Sequence, residues 1–293
     1  AEVREGVRVT AVGSFAGGMR VLRTSAGDLS ARRVIGAAGA TSRVSKTLRA
    51  ERGGPAPTLA AATEVFTQAG ADDPAPGAMR YDFSLGSAQR GGTPGYAWDF
   101  PCLLKDGRGL NRGVYSPRPR ALAATMPREL DAFLHARRAP LAEAPQSWPE
   151  RLYDERRPLS APGVFLAGEA IGVNAVTGEG IAPAIESALF AARWTADSLA
   201  DGEGPGEWAA FTHAFRRSIL GRRLSFGSRL ARLLYGTRGR FYRELGLRDR
   251  RFQELLLEDF CGDVDIPQWK RWLVARLAMN WMRQVARDIR AAT

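Results

Sequence analysis

Cysteine and histidine are almost missing from this chain: Cys102, Cys261, His135 and His213 are the entire supply in 293 residues. Two cysteines cannot build the disulfide framework of a small secreted domain, and no cysteine/histidine cluster is available to hold zinc. No metal site is expected, although carboxylates alone could take a hard cation. Lysine is scarce too, at Lys46, Lys105 and Lys270, so the net charge of +11 rests on arginine. No apolar run reaches the roughly 20 residues that cross a bilayer, and the N-terminus lacks a basic-then-apolar leader. What is plentiful is core material: 45% of residues are hydrophobic, which excludes a disordered or fibrous chain. A cytoplasmic protein, with at most peripheral membrane contact, fits this balance.

The arginines are unevenly spread. Between Arg216 and Arg251 stand twelve of them against only Glu244 and Asp249. In the same stretch Phe215, Ile219, Leu220, Leu224, Leu230, Leu233 and Leu234 recur at near-helical spacing. Residues 215–251 therefore read in two ways: as a helical surface lying on anionic lipid, or as a helix packed on its own domain with a solvated basic face. Nucleic acid is the poorer partner, because no zinc-finger or basic-zipper pattern accompanies the arginines. Trp269, Trp272 and Trp281 read as interfacial anchors or as core.

Along the chain, Glu2 to Val12 reads as a strand from its first residues, as though the sequence opens inside a domain. Gly17-Gly18 and Ala26-Gly27-Asp28 then turn a small meander into the buried run Val34-Ile35-Gly36. Strand patterns at Thr58 to Phe66, Met79 to Leu85, Tyr96 to Leu103 and Leu110 to Tyr115 predict a mostly antiparallel sheet. A helix is expected over Leu122 to Leu134, then a proline-punctuated segment from Pro140 to Pro162, a short strand Val164 to Ala167, and a helix over Ile181 to Leu199. Beyond Gly202 the pattern is helical, interrupted at Gly236, Gly246 and Pro267.

The most informative segment is Gly163 to Ile181, GVFLAGEAIGVNAVTGEGI. A strand ending at Gly168, a carboxylate at Glu169, a loop of small residues and a helix N-terminus suit a phosphorylated, polyhydroxylated cofactor. The glycines at 168, 172, 178 and 180 allow close backbone approach. Glu169 can accept bonds from sugar-like hydroxyls, and the free amides at Ile181 favour partial negative charge. An ordinary strand-loop-helix connection explains the same pattern.

This segment resembles the second flavin-contacting motif of the flavoprotein monooxygenase-like superfamily, and most of all that of geranylgeranyl reductases, roughly G-D-A-A-G-x-x-N-P-x-T-G-E-G-I. Glu169 stands for the commoner aspartate and Ala175 for the usual proline. The stretch Arg33 to Ser42 is similar to the V-I-G-A-D-G-x-x-S strand end of the same proteins, with Ala38 in place of its aspartate. Pro94 to Pro101 resembles the Y-x-W-x-F-P box of geranylgeranyl reductases; in a strand Tyr96, Trp98 and Phe100 share one face and Asp99 points the other way. An aromatic stripe buried in the core is the alternative reading.

The resemblance implies an α/β fold: part of a Rossmann-like FAD-binding domain, with an inserted antiparallel substrate sheet and a helical C-terminal region. Its divisions would be 1–50 and 151–200 for the FAD domain, 51–150 for the sheet and 201–293 for the arginine-rich helices. It implies FAD contacts at Gly39, Gly168, Glu169, Gly172, Asn174 and Thr177, and at Gly178, Glu179, Gly180 and Ile181. An isoprenoid would contact Tyr96, Trp98, Phe100 and Pro101. NAD(P)H or another external donor would reduce the flavin, and carbon–carbon double bonds of a geranylgeranyl-type lipid would be reduced in turn. A flavin-dependent monooxygenase or halogenase on the same scaffold is the alternative enzyme, and a non-catalytic lipid- or membrane-binding remnant is the reading from another class. The family's G-x-G-x-x-G turn for the adenosine diphosphate portion is absent from this sequence, which suggests an N-terminally truncated piece. No residue declares itself as the proton source. Cys102 is expected to be a buried free thiol, and both histidines are expected at the surface.

Overall fold

Two left-handed glycines, Gly17 and Gly18, fold β1 (Val9–Ala16) onto β2 (Met19–Thr24), and β3 (Gly27–Ala31) completes an antiparallel meander. The computed structural model describes residues 2–71, 73, 74, 77–83, 94–117, 125–139, 144–200, 207–236, 246, 248–261, 263 and 265–292. Residues 84, 85 and 122–124 of the expected strand and helix lie outside them. The meander starts later than the valine pattern suggests, because Glu5 and Gly6 form a turn.

β4 (Val34–Gly36) pairs in parallel with β11 (Val164–Leu166), and β10 (Ser160–Ala161) pairs antiparallel with β11. These three strands are short; Val34, Ala161, Val164, Phe165 and Leu166 are buried, while Ile35 of β4 is exposed. Helix α1 (Arg43–Arg52) follows β4, capped by the Ser42 hydroxyl, which accepts from the Ser45 amide at 3.3 Å. Sequence periodicity missed this helix, since its arginines and serines dilute the apolar positions Val44 and Leu48. Arg20, on β2, ties the meander to it: the buried guanidinium forms a bidentate pair with Glu51 at 2.6 and 2.7 Å and also donates to the Pro162 carbonyl at 2.9 Å.

The second layer is a five-stranded antiparallel sheet in the order β6 (Arg80–Asp82), β7 (Tyr96–Leu104), β8 (Gly107–Ser116), β5 (Leu59–Gln68) and β9 (Gln146–Arg151). Pairing of Tyr96 with Tyr115, of Ala62 with Tyr115 and of Ala60 with Glu150 puts these residues on one face. On the other face Ala61, Val65, Ala97 and Val114 pack against α2 (Met126–Ala136) through Leu130 and Phe133. β9 is the strand hidden in the proline-punctuated segment; Pro149 is tolerated because β9 is an edge.

Asp99 behaves as the strand alternation predicts. It points to the α2 face, fully buried, with Arg137 at 3.2 Å and Arg80 and Arg112 each at 3.6 Å.

α3 (Ile181–Ala200), α4 (Glu207–Arg217) and α5 (Ile219–Tyr235) close the first compact unit, Ala1–Tyr235. Phe165, Phe190, Phe211 and Phe215 stack into one aromatic core, each fully buried phenyl contributing about 2 kcal/mol. The leucines at 220, 224, 230 and 234 of α5 point into this unit. Among the described residues of the stretch Leu233 is half-buried and Ile219 is exposed, with arginines such as Arg217 and Arg222 beside it. Residues 237–245 of that stretch are outside the described set.

The second unit, Gly236–Thr293, contains α6 (Arg250–Phe260) and α7 (Ile266–Ala292). Pro267 opens α7 rather than interrupting it. Trp269 and Trp272 are core, packed edge-on to each other and around Phe252. The Trp281 side chain is outside the described set. His135 and His213 are at the surface, while Cys102, expected to be buried, is partly exposed at the start of a turn-proximal strand end.

Replacing Asp99 with alanine leaves three arginines without their shared carboxylate. A loss of about 3–5 kcal/mol is expected, read from the urea midpoint at constant slope.

Candidate functional site

At the end of β11 the chain turns through Gly168, in the left-handed region at φ +62°, into a 3-10 turn, Gly168–Ala170. The Gly168 amide is held by the Ser187 hydroxyl of α3 at 2.9 Å. Glu169 then extends back toward the sheets. One of its oxygens accepts the Arg151 amide at 3.0 Å; the other lies 3.5 Å from where a Cβ on Gly39 would stand. Gly39 is also left-handed, and a Cβ on Gly168 would meet only Ala184 at 3.8 Å. Gly39, Gly168 and Glu169 therefore form a half-open carboxylate hollow with bare backbone on its walls.

The other glycines of the segment have a different reason to be glycine. A Cβ on Gly172 would strike the Tyr153 backbone, one on Gly180 would lie 2.6 Å from the Val173 side chain, and one on Gly178 would lie 2.8 Å from the Tyr115 ring and 2.9 Å from Glu150. Their space is taken by the protein itself. Asn174 shapes the turn, accepting the Val176 amide at 2.9 Å, and Glu179 accepts the Ala182 amide at 2.9 Å at the start of α3. Ile181 is 80% exposed.

Three phenols fasten this loop to the rest of the unit. Tyr115 donates to the Ala175 carbonyl at 3.1 Å, Tyr235 to the Val176 carbonyl at 2.8 Å, and Tyr96 to the Thr177 carbonyl. Burial, reinforced by the Glu150 carboxyl, pushes the Tyr96 and Tyr115 phenols well above their ordinary range. Both remain donors at any physiological pH. The aromatic face and the Gly163–Ile181 segment, singled out separately in the sequence, meet at this Tyr96–Thr177 bond.

Tyr96 and Trp98 are themselves buried, and Phe100 and Pro101 are partly so. Trp98 stacks on Phe100 with ring centroids 5.7 Å apart and donates to Asn111 at 2.6 Å; Asn111 passes the bond on to Glu64 at 3.0 Å. Gly113 gives the indole its seat, since any Cβ there would run into the ring.

Two further residues were invisible to sequence reasoning. Arg151, 1% exposed, donates to the carbonyls of Ala40, on the loop after β4, and of Ala170, on the turn after β11, and to the Ser45 hydroxyl of α1. Burial, and then Arg157, lower its pKa to about 10, leaving it a cation. It clamps together the two loops that carry Gly39 and Glu169. Glu150, its neighbour, points to the opposite face of β9. One of its oxygens is sealed from solvent with no hydrogen-bond partner, and burial, with help from Glu169 and Glu64, raises its pKa to about 8. The only signal for either was their position at the end of a strand that the prolines disguised.

Arg151→Met keeps the bulk but strands two carbonyls and a hydroxyl. It is expected to cost about 3 kcal/mol in urea unfolding, against about 1 kcal/mol for Tyr235→Phe.

No protein-family model and no curated protein matches the sequence. Solved structures do. A geranylgeranyl bacteriochlorophyll reductase-like protein from Thermoplasma acidophilum superposes with a TM-score of 0.58 at 20% identity, over 78% of this chain and 60% of its own. The flavin-dependent brominase Bmp2 gives 0.59 at 17% identity, over 95% of this chain and 70% of that one. The anhydrotetracycline hydroxylase OxyS from Streptomyces rimosus gives 0.51 at 18%, over 93% and 52%. The chain thus spans about three fifths of the reductase-like protein's length. Across those residues it has the mixed α/β fold of the FAD-dependent oxidoreductases.

Proposed function

We propose that this chain carries the ring-and-ribityl side of an FAD site and works as a flavin-dependent oxidoreductase, reducing carbon–carbon double bonds of an isoprenoid chain. The observation that carries the reading is the Tyr96–Thr177 hydrogen bond, which joins the aromatic face to the loop opposite Glu169. The residues present fit this part of the cofactor. The Gly39–Gly168–Glu169 hollow offers a carboxylate for ribityl hydroxyls beside backbone that carries no side chain. The start of α3, below Gly178 and Gly180, offers a helix dipole to a ring that gains negative charge on reduction. Nothing in the sequence supplies a G-x-G-x-x-G turn for the pyrophosphate.

When bound and reduced by NAD(P)H or another donor, a flavin held by Gly39, Gly168 and Glu169 would supply a hydride to an alkene. The chain's own part is positioning. Arg151 holds both cofactor-facing loops in register; the three tyrosines fix the height of the 175–177 turn; and Phe100 and Pro101, partly exposed beside the buried Tyr96 and Trp98, offer the apolar surface for a long chain. The brominase, matched over nearly the whole of this chain, supports a second reading as a monooxygenase or halogenase.

Titration with riboflavin and with FAD, followed by flavin fluorescence, tests the cofactor half. Both should bind the wild-type chain, and Glu169→Ala should weaken each about 10- to 100-fold, as loss of a charged hydrogen-bond partner implies. A colourless protein that binds neither sides with a non-catalytic lipid-binding remnant. For the substrate half, anaerobic reoxidation of the reduced, flavin-loaded chain by a geranylgeranyl compound is expected. A peroxyflavin absorbance in air without that reoxidation sides with the monooxygenase.

A further inference from the structure

Reducing an alkene takes a proton as well as a hydride, and nothing in the motifs names its source. One strand places an acid where the source is needed. Glu150 lies on the same face of the five-stranded sheet as Tyr96 and Tyr115, by the pairing of Ala60 with Glu150 and of Ala62 and Tyr96 with Tyr115. Its Oε2 lies 2.9 Å from where a Cβ on Gly178 would stand, a space the Tyr115 ring also borders, on the loop that the aromatic face touches. The residue as a whole is half-buried, and Oε2, the oxygen beside Gly178, is sealed from solvent without a hydrogen-bond partner.

The surroundings are acidic throughout. Glu64 on β5 and Glu169 on the 3-10 turn lie near it, Tyr96 and Tyr115 face it from β7 and β8, and Tyr235 of α5 and Glu179 lie near those phenols. No arginine or lysine pairs with Glu150 among the described residues; Arg151 is committed to the opposite side of the strand. A largely buried carboxyl with no cation paired to it among the described residues, and with two other carboxyls near, favours keeping its proton, because the charged form would be poorly solvated and without a counter-ion.

We propose that Glu150 is the proton-donating acid of this site, a neutral carboxylic acid poised beside Gly178 to protonate the second carbon of the substrate double bond. The inference rests on the flavin-dependent reading above. In balance, the alkene accepts a hydride, with its electron pair, from reduced flavin at one carbon; the O–H bond of Glu150 breaks as a C–H bond forms at the other. The carboxylate left behind recovers its proton from water, and no further oxidant or reductant is consumed.

The sign of the pH effect follows. Between the ordinary glutamate range and about pH 8 the folded chain holds this proton and the unfolded chain does not, so Glu150 makes stability fall as pH rises across that window. Glu150→Gln removes that fall.

The test begins with the infrared stretch of a protonated carboxyl, followed against pH in the chain without flavin. The wild-type band should persist to about pH 8 and be absent in Glu150→Gln; Glu150→Asp, which keeps the acid, should retain a band. Loss of the wild-type band in the ordinary carboxylate range, or its survival in Glu150→Gln, overturns the proposal. With flavin loaded, single-turnover reduction of a geranylgeranyl compound should fall about 100-fold or more in Glu150→Gln, while riboflavin affinity stays within about twofold. Unchanged turnover with the band lost also overturns it. If wild-type chain binds no flavin, it is the oxidoreductase reading that fails, and the infrared band still decides whether Glu150 holds a proton.

Discussion

A single buried guanidinium sets the geometry of everything around it. Arg151 sits where the last strand of the antiparallel sheet meets the loops of the parallel one, and a cation taken out of water there costs several kcal/mol unless its donors are satisfied. The Ala40 and Ala170 carbonyls and the Ser45 hydroxyl satisfy them. Because the first belongs to the loop after β4 and the second to the turn after β11, the same bonds that solvate the charge also fix the distance between Gly39 and Glu169. Strand alternation does the rest: one step back along β9, Glu150 emerges on the other face. Base and acid are thereby separated by a backbone rather than paired with each other.

Much of this was legible in the residues and some was not, for identifiable reasons. Period-two spacing put Tyr96, Trp98 and Phe100 on one face and Asp99 on the other without any coordinates. The run from Val164 to Ile181 announced a strand, a turn and a helix through its composition. The glycines within it misled in part. Gly39 and Gly168 border open space, whereas Gly172, Gly178 and Gly180 are small because Tyr153, Tyr115 with Glu150, and Val173 already occupy the room. Steric crowding from distant strands leaves no local trace. β9 stayed hidden behind Pro149, and α1 behind its arginines. Arg151 could not stand out in a chain where arginine carries nearly all the positive charge.

Charge is handled differently on the two faces of the antiparallel sheet. Behind the antiparallel sheet, Asp99 draws Arg80, Arg112 and Arg137 around one carboxylate, a cluster that locks α2 to the strands. In front of it the balance is reversed, with Glu64, Glu150 and Glu169 near one another and the neighbouring Arg151 bonded on the opposite side of β9. The first arrangement is neutralised and serves packing. The second is left short of positive charge, the condition under which a protein keeps an acid protonated.

The three phenols on the 175–177 turn carry a dynamic consequence. Three successive carbonyls bonded to β8, α5 and β7 cannot be released one at a time without stranding the others, so the turn should open only as a cooperative unit. Amide hydrogens across it would then exchange in one slow step rather than in a graded series. Fraying at the end of α5, where Tyr235 lies, would be felt at once beside Gly178.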